Sequence, residues 1–305
     1  MLIGVQTDGA IDRLGLDAGL AAIKAAGFEA LDFNLNVTWA QLKAPGPLEF
    51  YSDDAAFTAY IEEVKAAVKK HGLVFGQFHA TAPTWMRGNE HAAEKARFAV
   101  MKSLEMCAAC GCDKIVVHPN MDGNMMDPLT KKEEWELNIP FYSSLIPFLK
   151  EHHITCCLEN MWGWDNSTSR KIYGSVCSDM NEAVKYIDTL NEIAGEKLFG
   201  FCLDTGHLVI LGGNLYDAVY TLGDRLVALH IHDNDGRGDD HNAPYIGGVT
   251  LWNRFLLALR ETGYKGNLSF ETAGATRCFP NELIPSALKL LGDTANYFRG
   301  VLQAE

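Results

Sequence analysis

Eight short apolar segments alternate with amphipathic helical segments along the chain, and this alternation restricts the fold to an α/β architecture. The predicted strands span 2–6, 29–34, 73–79, 113–118, 154–159, 198–204, 226–232 and 266–271. The predicted helices lie near 16–26, 54–71, 91–110, 131–152, 179–193, 214–222, 249–262 and 280–300. Eight units of one strand and one helix predict a (β/α)8 TIM barrel. A doubly wound open sheet is the alternative, but it gives no reason for eight repeats.

The ends of the helical segments mark where one unit passes into the next. In residues 55–72, apolar residues recur at helical spacing, two lysines stand in the last turn, and Gly72 follows as a stop signal. The same order of helix, glycine and strand recurs at Gly27 and Gly263. No linker rich in Pro, Gly or Ser divides the chain, and one barrel takes about 250 residues or more. A single domain over residues 1–305 is therefore predicted.

Composition is typical of a globular enzyme and disfavours several other classes of protein. Hydrophobic residues make up 48% of the chain and charged residues 21%. The N-terminal sequence lacks a signal-peptide pattern, and no segment approaches the roughly 18 apolar residues that span a bilayer. The formal net charge of −13 disfavours a nucleic-acid surface. We therefore expect a cytoplasmic protein with no membrane partner and no nucleic-acid partner.

The eight cysteines are expected to be reduced. Most lie within predicted strands or helices, as Cys156, Cys157 and Cys202 do, where they act as small buried side chains. The C-x2-C-x-C cluster at 107–112 has a spacing that metal sites also use. Its first two cysteines fall in a predicted helix, however, and no second cluster pairs with them. A buried apolar role is the favoured interpretation.

Four predicted strands end in a residue of a type that binds metal ions. The apolar runs at 154–159, 198–204, 226–232 and 266–271 carry, in that order, Glu159, Asp204, His230 and Glu271. A barrel places the carboxyl ends of its strands, and its chemistry, on one rim. Oxygen and imidazole ligands together suit Mn, Mg, Co or Zn. The sequence therefore predicts one divalent metal ion at this rim.

Other polar residues follow the same positional rule. Asp32 and Asn34 close the second strand, His79 the third and His118 the fourth. His232 lies two residues after His230, so both face the same side if the strand continues. The spacing of His230 from the aspartate three residues later favours His230 as the ligand. The loop 121–128 that follows the fourth strand is expected to belong to the rim.

The motifs at these strand ends resemble those of a known family. They read Glu159-Asn-Met-Trp-Gly-Trp, Asp204-Thr-Gly-His, His230-Ile-His-Asp and Glu271-Thr-Ala-Gly, in chain order. This order resembles the xylose isomerase-like TIM barrel family of sugar phosphate isomerases and epimerases, the AP endonuclease family 2 superfamily. The resemblance covers essentially the whole chain. It implies that Glu159, Asp204, His230 and Glu271 bind one divalent metal ion.

The resemblance also implies an activity and roles for individual residues. Sugar isomerases and epimerases of this family remove a proton next to a carbonyl group through a metal-stabilised enediolate. Glu159 and Glu271 would be the acid/base pair, and His207 would contact a substrate oxygen. Further predicted substrate contacts are His79, His118, Trp162 and Arg237. No cluster of Arg or Lys marks a phosphate site, which favours an unphosphorylated carbohydrate.

Alternative functions remain open on the sequence. A metal-dependent lyase or dehydratase, acting on an oxidised sugar, inositol derivative or glycoside, begins with the same proton abstraction. An endonuclease IV-like phosphodiesterase holds three zinc ions, and His79, His118, Asp239 and His241 are counterparts of its extra ligands. Against it, the segment after His241 lacks the nuclease's Gly-Glu-Gly. A barrel that only binds metal or sugar is the non-enzymatic alternative, and homo-oligomers are common among relatives.

Overall fold

Parallel strands surround a central axis and end at a common rim. The computed structural model describes residues 1–122, 127–164 and 171–304. Its strands are β1 Ile3–Gln6, β2 Ala30–Asn34, β3 Val74–His79, β4 Lys114–Val116, β5 Thr155–Glu159, β6 Trp162–Trp164, β7 Ile172–Gly174, β8 Phe199–Asp204, β9 Leu226–His230 and β10 Leu268–Phe270. Strands β6 and β7 form a separate antiparallel hairpin. The other eight strands form one parallel sheet in the order β10-β1-β2-β3-β4-β5-β8-β9.

The sheet closes between its first and last strands, β10 and β9. Ile231 pairs with Phe270 in parallel, just beyond the end of β9. The Ile231 amide donates to the Ser269 carbonyl at 2.8 Å, and the Glu271 amide donates to the Ile231 carbonyl at 3.1 Å. The predicted (β/α)8 TIM barrel in a single domain is therefore confirmed.

The predicted helices are present, with ends that differ by a few residues. The helices are α1 Ile11–Leu14, α2 Leu16–Ala25, α3 Trp39–Lys43, α4 Glu49–Ser52, α5 Asp54–Lys70, α6 Glu90–Ala109, α7 Lys131–His152, α8 Met180–Ala194, α9 Thr205–Ile210, α10 Leu215–Leu222, α11 Trp252–Glu261, α12 Ala273–Arg277 and α13 Ile284–Gln303. The last helix begins later than predicted because residues 281–283 form a 3-10 turn first. Short helices such as α3 and α9 were not predicted, since one turn carries too little periodicity.

Three predicted strands are clearly shorter than their apolar runs, namely β4, β9 and β10. Strand β4 ends at Val116, so His118 lies beyond it, although the Val117 amide still donates to the Cys157 carbonyl at 3.0 Å. Strand β9 ends at His230. The amide of His232 donates to Thr205 Oγ1 at 3.0 Å instead of continuing the ladder. Of the loop predicted at the rim after the fourth strand, residues 123–126 lie outside the described part of the chain.

Strand alternation separates two layers of apolar side chains. One small cluster comprises Val116, Cys157, Cys202 and Ala228, apart from the larger core between strands and helices. Successive residues of a strand point to opposite faces, so side chains two residues apart share a face. Glu159, for example, stands two positions beyond Cys157. The small residues thus form a layer in the barrel interior, and the polar side chains lie next to this layer at the rim.

Six of the eight cysteines are buried, as predicted for most of them, whereas Cys110 is partly buried and Cys278 is exposed. All eight are free, and Cys156, Cys157 and Cys202 are completely buried. In the cluster at 107–112, the thiol of Cys107 donates to the carbonyl of Cys112 at 3.4 Å. The metal-type groups found among the described residues include none of these cysteines. In the same described part of the chain, no helix combines the length and apolar character that crossing a membrane requires.

Candidate metal centre

The four side chains predicted to bind a metal ion meet at the centre of the rim. One ligand atom from each of them lies within 4.8 Å of the others. Glu159, Asp204 and His230 are fully buried, and Glu271 is only 7% exposed. Each terminates or follows a different strand, β5, β8, β9 and β10, so barrel closure alone brings them together. The spacing of these atoms fits a single divalent ion.

The carboxylate of Glu159 is buried, and both of its oxygens lack a hydrogen-bond donor among the described residues. Neither of its oxygens accepts a hydrogen bond of good geometry from the described residues, although His118 Nε2 and His230 Nδ1 lie 3.1 and 3.2 Å away. Burial raises the pKa of Glu159, but the positive charges of His230 and His118 outweigh it and hold the pKa well below its usual value. A buried ionised carboxylate needs a compensating cation, which a bound metal ion provides.

His230 is oriented by a carboxylate behind it. Its Nε2 atom lies 3.0 Å from Oδ2 of Asp32, and its Nδ1 atom lies 3.1 Å from Oε2 of Glu271. Asp32 Oδ2 also accepts hydrogen bonds from Gln77 Nε2 at 2.7 Å and from Ser269 Oγ at 3.0 Å. Metal-binding histidines commonly donate their second ring N–H to a carboxylate in this way. Nδ1 is therefore the ring atom left available to a metal ion.

Local contacts orient the other two carboxylates. Gln6 Nε2 donates to Glu271 Oε1 at 2.7 Å, which leaves Oε2 directed at His230. Asp204 Oδ1 accepts the amide of His207 at 2.6 Å, so Asp204 caps the N-terminus of α9. Its Oδ2 atom lies 2.9 Å from Nε2 of His232. Two of the four ligands thus have one oxygen held by the protein and one directed at a neighbouring imidazole.

A second group of metal-type ligands adjoins the first. It consists of His207, His232, Asp239 and His241. The Nδ1 atoms of His207 and His241 lie 2.9 and 3.0 Å from backbone carbonyl oxygens of Asn160 and Glu271. A carbonyl can only accept, so Nδ1 carries the proton in both rings. Their Nε2 atoms then both approach Oδ2 of Asp239, at 3.2 and 3.1 Å.

That arrangement requires positive charge between the rings and Asp239. With Nδ1 protonated, a neutral imidazole would direct its Nε2 lone pair at a carboxylate oxygen. Either each ring is an imidazolium or a cation lies between them. Without a cation, burial lowers the pKa of His241, but Glu271 and Asp239 outweigh it and raise the pKa to about 10. Two imidazole nitrogens and one carboxylate also suit a transition-metal ion.

A third group of metal-type ligands contains His79 and Glu159, and His118 lies beside it. His79 Nδ1 donates to the carbonyl of Ala80 at 2.7 Å, so its Nε2 is directed inwards, 3.1 Å from His118 Nε2 and 3.9 Å from Glu159 Oε2. Burial lowers the pKa of His79, and the neighbouring His118 and His230 lower it further. His79 is therefore neutral near pH 7. The metal-type group found here is His79, Glu159 and His230, which shares two members with the first group.

A pocket of about 470 Å³ opens onto these groups, and most of the predicted substrate contacts line it. They are His79, His118, His207 and Trp162. The ring of Trp162 lies 6.4 Å from that of His207, centre to centre. Arg237 is not among the lining residues. It is exposed on the loop after β9, where its amide donates to Asp235 Oδ1 at 2.9 Å.

Several residues of this pocket were not predicted from the sequence, among them Gln6 and Trp39. Gln6 ends β1, and its side chain donates a hydrogen bond to Glu271. The rule that polar residues at strand ends mark the site would have identified Gln6. Trp39 begins α3 and lines the pocket, with 51% of its surface exposed. A single-turn helix has no sequence signal that would have assigned this tryptophan to the rim.

Fold and site together define a (β/α)8 barrel with ligands suited to divalent metal ions at the carboxyl ends of its strands. The chain belongs to the xylose isomerase-like TIM barrel family, whose family model matches residues 20–294. The resemblance inferred from the four strand-end motifs is thereby confirmed.

Two sequence relatives have no assigned activity. The uncharacterized protein MJ1311 of Methanocaldococcus jannaschii is 24% identical over 214 residues, which cover 70% of this chain and 68% of that protein. The uncharacterized protein y4fM of Sinorhizobium fredii is 40% identical over 73 residues. That match spans 24% of this chain and only 23% of y4fM.

Several solved structures are similar over nearly the whole chain. The 3-keto-D-glucoside 4-epimerase YcjR from E. coli is 20% identical with a TM-score of 0.69, covering 95% of this chain and 98% of that one. D-allulose 3-epimerase from Methylomonas sp. is 17% identical with a TM-score of 0.71, covering 99% and 98%. The IOLI protein with a bound zinc atom is 16% identical with a TM-score of 0.66, covering 99% and 98%. At these identities the likeness establishes the fold.

Proposed function

We propose that this protein is a divalent-metal-dependent sugar isomerase or epimerase in which Glu159 and Glu271 form the acid/base pair. The observation that carries the proposal is the convergence of both glutamates on His230 Nδ1, at 3.2 and 3.1 Å, within the four-residue ligand group. The glutamates follow different strands, β5 and β10, and so approach a bound sugar from different directions. Moving a proton between two faces of one carbon needs such a pair.

The residues present account for the steps of such a reaction. A divalent ion at this site would polarise the carbonyl group of the sugar and acidify the neighbouring C–H bond. One glutamate takes that proton and the other returns a proton, and Gln6 keeps Glu271 at a fixed angle. His207 lines the pocket and binds a sugar oxygen, and Trp162 packs against the sugar ring. His79 and His118 are proposed substrate contacts at the opposite wall.

The substrate class follows from the pocket and from the similar structures. YcjR and D-allulose 3-epimerase are sugar epimerases by name, which supports a carbohydrate substrate here. Arg237 does not line the pocket, which favours an unphosphorylated sugar, and contact of Arg237 with substrate remains a prediction. The metal is proposed to be Mn, Co, Mg or Zn, and the similar IOLI structure contains zinc. A cytoplasmic location is proposed because all eight cysteines are free.

The test combines metal content with proton exchange. Elemental analysis of the purified protein should find bound divalent metal, and Glu159→Gln should reduce it. The metal-loaded protein, incubated with a panel of ketoses in deuterated water, should introduce deuterium at one carbon, and Glu271→Gln should prevent this. A product lighter by one water would instead establish a dehydratase. Absence of metal after reconstitution with Mn or Co contradicts the proposal.

A three-metal phosphodiesterase is the second candidate, favoured by one observation. The three ligand groups are contiguous, because Glu159 belongs to two of them and Asp204 Oδ2 contacts His232 of the third. The net charge of −13 disfavours DNA as the substrate. Near three zinc ions per chain, together with cleavage of abasic DNA, would establish this function. Extra metal without such cleavage would leave the sugar enzyme as the better account.

A further inference from the structure

A second cavity opens beside the metal-type groups and differs from them in chemistry. It has a volume of about 290 Å³ and is bounded mainly by apolar side chains. These side chains are Trp39, Ala82, Pro83, Met121 and Met161. None of the four predicted metal ligands lines this cavity. Its chemistry is therefore that of a binding surface and not of a reacting centre.

Among the described residues, the two polar side chains that line this cavity, Thr84 and His118, each contact another part of the protein. Thr84 is 2% exposed, and its hydroxyl donates to the carbonyl of Pro119 at 3.1 Å. His118 directs its Nε2 towards Glu159, at 3.1 Å, and so away from the apolar walls. A group that entered the cavity would find few hydrogen-bonding partners and much apolar surface. Such walls favour an apolar group over a hydroxylated one.

The cavity is continuous with the pocket over the metal ligands. Trp39, Ala82, His118 and Met161 line both spaces. A sugar whose oxygens reach Glu159 therefore lies next to His118 and Met161, which also border the apolar cavity. A substituent attached to that ring can extend past them into the cavity. The two spaces together form one ligand site with a polar part and an apolar part.

The size and side chains of the cavity suit an aromatic ring. An apolar cavity of about 150 Å³ is enough to bind benzene, so 290 Å³ accommodates a substituted phenyl group. Trp39 offers a face for stacking, with 51% of its surface exposed. Methionine sulfur makes favourable contacts with aromatic rings, and the flexible side chains of Met121 and Met161 adapt to different substituents.

We propose that this cavity is an aglycone subsite, and that the substrate is a glycoside with a ketone group on its sugar ring and an aromatic or similarly apolar aglycone. The proposal rests on the proposed function, since that function places the sugar over Glu159 and Glu271. A free ketose would leave the walls around Trp39 in contact with water. A glycoside fills both parts of the site and removes that apolar surface from water.

Binding of matched glycosides tests the subsite without requiring turnover. Isothermal titration should compare phenyl and methyl D-glucopyranosides, in both anomeric forms, with the protein free of metal and loaded with Mn. In at least one anomeric form the phenyl glycoside should bind about tenfold more tightly or better. Trp39→Ala should remove most of that preference, and Trp39→Phe should retain much of it. Trp39 is half exposed, so neither change threatens the fold.

Trp164→Ala is the matched control. Trp164 lines the pocket over the metal ligands but not the apolar cavity, so its removal should weaken both glycosides alike and preserve the preference. Equal affinities for phenyl and methyl glycosides would overturn the proposal, as would a preference unaffected by Trp39→Ala. A phenyl preference without deuterium exchange into any ketose or keto glycoside would retain the subsite and reject the epimerase. Deuterium exchange into sugars without a preference for the phenyl glycoside would retain the epimerase and reject the subsite.

Discussion

Nε2 of His230 lies 3.0 Å from Oδ2 of Asp32, and both side chains are completely buried. The contact crosses the barrel interior between β9 and β2, which are not neighbours in the sheet. It fixes the ring of His230 so that Nδ1 is directed at the two glutamates. The metal centre therefore depends on a carboxylate that would not itself touch the ion.

Asp32→Asn should weaken metal binding while keeping the fold. The amide removes the negative charge that makes His230 a stronger ligand, and such changes lower metal affinity by about 10–100-fold. Affinity for Mn or Zn, measured by competition with a chelator, checks this. Asp188→Asn is the control, because Asp188 pairs with Arg225 at the surface and belongs to none of the metal-type groups found among the described residues. Equal metal affinity in the Asp32 and Asp188 variants would contradict the role given to Asp32.

Gln6→Leu should separate metal binding from catalysis. Gln6 donates to Oε1 of Glu271 at 2.7 Å, so leucine leaves that oxygen without its donor but removes no metal ligand. We expect near-normal metal content and deuterium exchange slower by about 10–100-fold. Elemental analysis and the exchange assay, run on the same preparation, measure both. A variant that loses its metal instead would show that Gln6 acts through the metal ligand set.

Gly206→Ala should disturb the packing of His232. A Cβ atom at position 206 would lie 2.0 Å from Cε1 of His232, which is too close for any ordinary contact. Overpacking of this kind lowers the free energy of unfolding by about 1–3 kcal/mol. Adding His232→Ala should restore part of that loss, as urea denaturation of the single and double variants would measure. Gly300→Ala is the control, since a Cβ there meets no atom within 4 Å.

Trp252→Phe should loosen the loop that carries Asp239 and His241. The buried carboxylate of Asp233 accepts hydrogen bonds from Trp252 Nε1 at 2.9 Å and from the Thr250 hydroxyl at 2.6 Å. Losing one donor to a buried charge costs about 1–3 kcal/mol. Urea denaturation measures the loss, and Trp164→Phe, at an exposed position, is the control. No difference in stability between the two variants would contradict the anchoring role of Asp233.

The sequence predicts the barrel, and the meeting of four strand-end side chains, well because both depend on local patterns. Glu159 and Asp204 each end an apolar run, and period two places them above Cys157 and Cys202 in the barrel interior. Parallel strands then bring their carboxyl ends together without further information. Position along a strand was sufficient to predict this part of the site.

Other features depend on contacts that are distant in the chain. Whether His230 or His232 joins the first ligand group depends on where β9 leaves the sheet, and Thr205 Oγ1 determines that by accepting the His232 amide. Arg237 was predicted to contact substrate from its loop position. Gly236 precedes it with a φ of 80°, and the turn leaves Arg237 exposed. Hydrophobic periodicity predicts neither the point where β9 leaves the sheet nor the direction of the loop that carries Arg237.

The two carboxylate oxygens of Asp204 link helix α9 to the metal centre. Oδ1 accepts the His207 amide at the start of α9, while Oδ2 lies among the imidazoles. A cation bound to Oδ2 would fix the Asp204 carboxylate in place, and with it the oxygen that caps the first turn of α9. Hydrogen–deuterium exchange of the α9 amides should therefore slow when metal is added. The exchange rates of this six-residue helix would then report whether metal is bound, even where the ion itself is not detected.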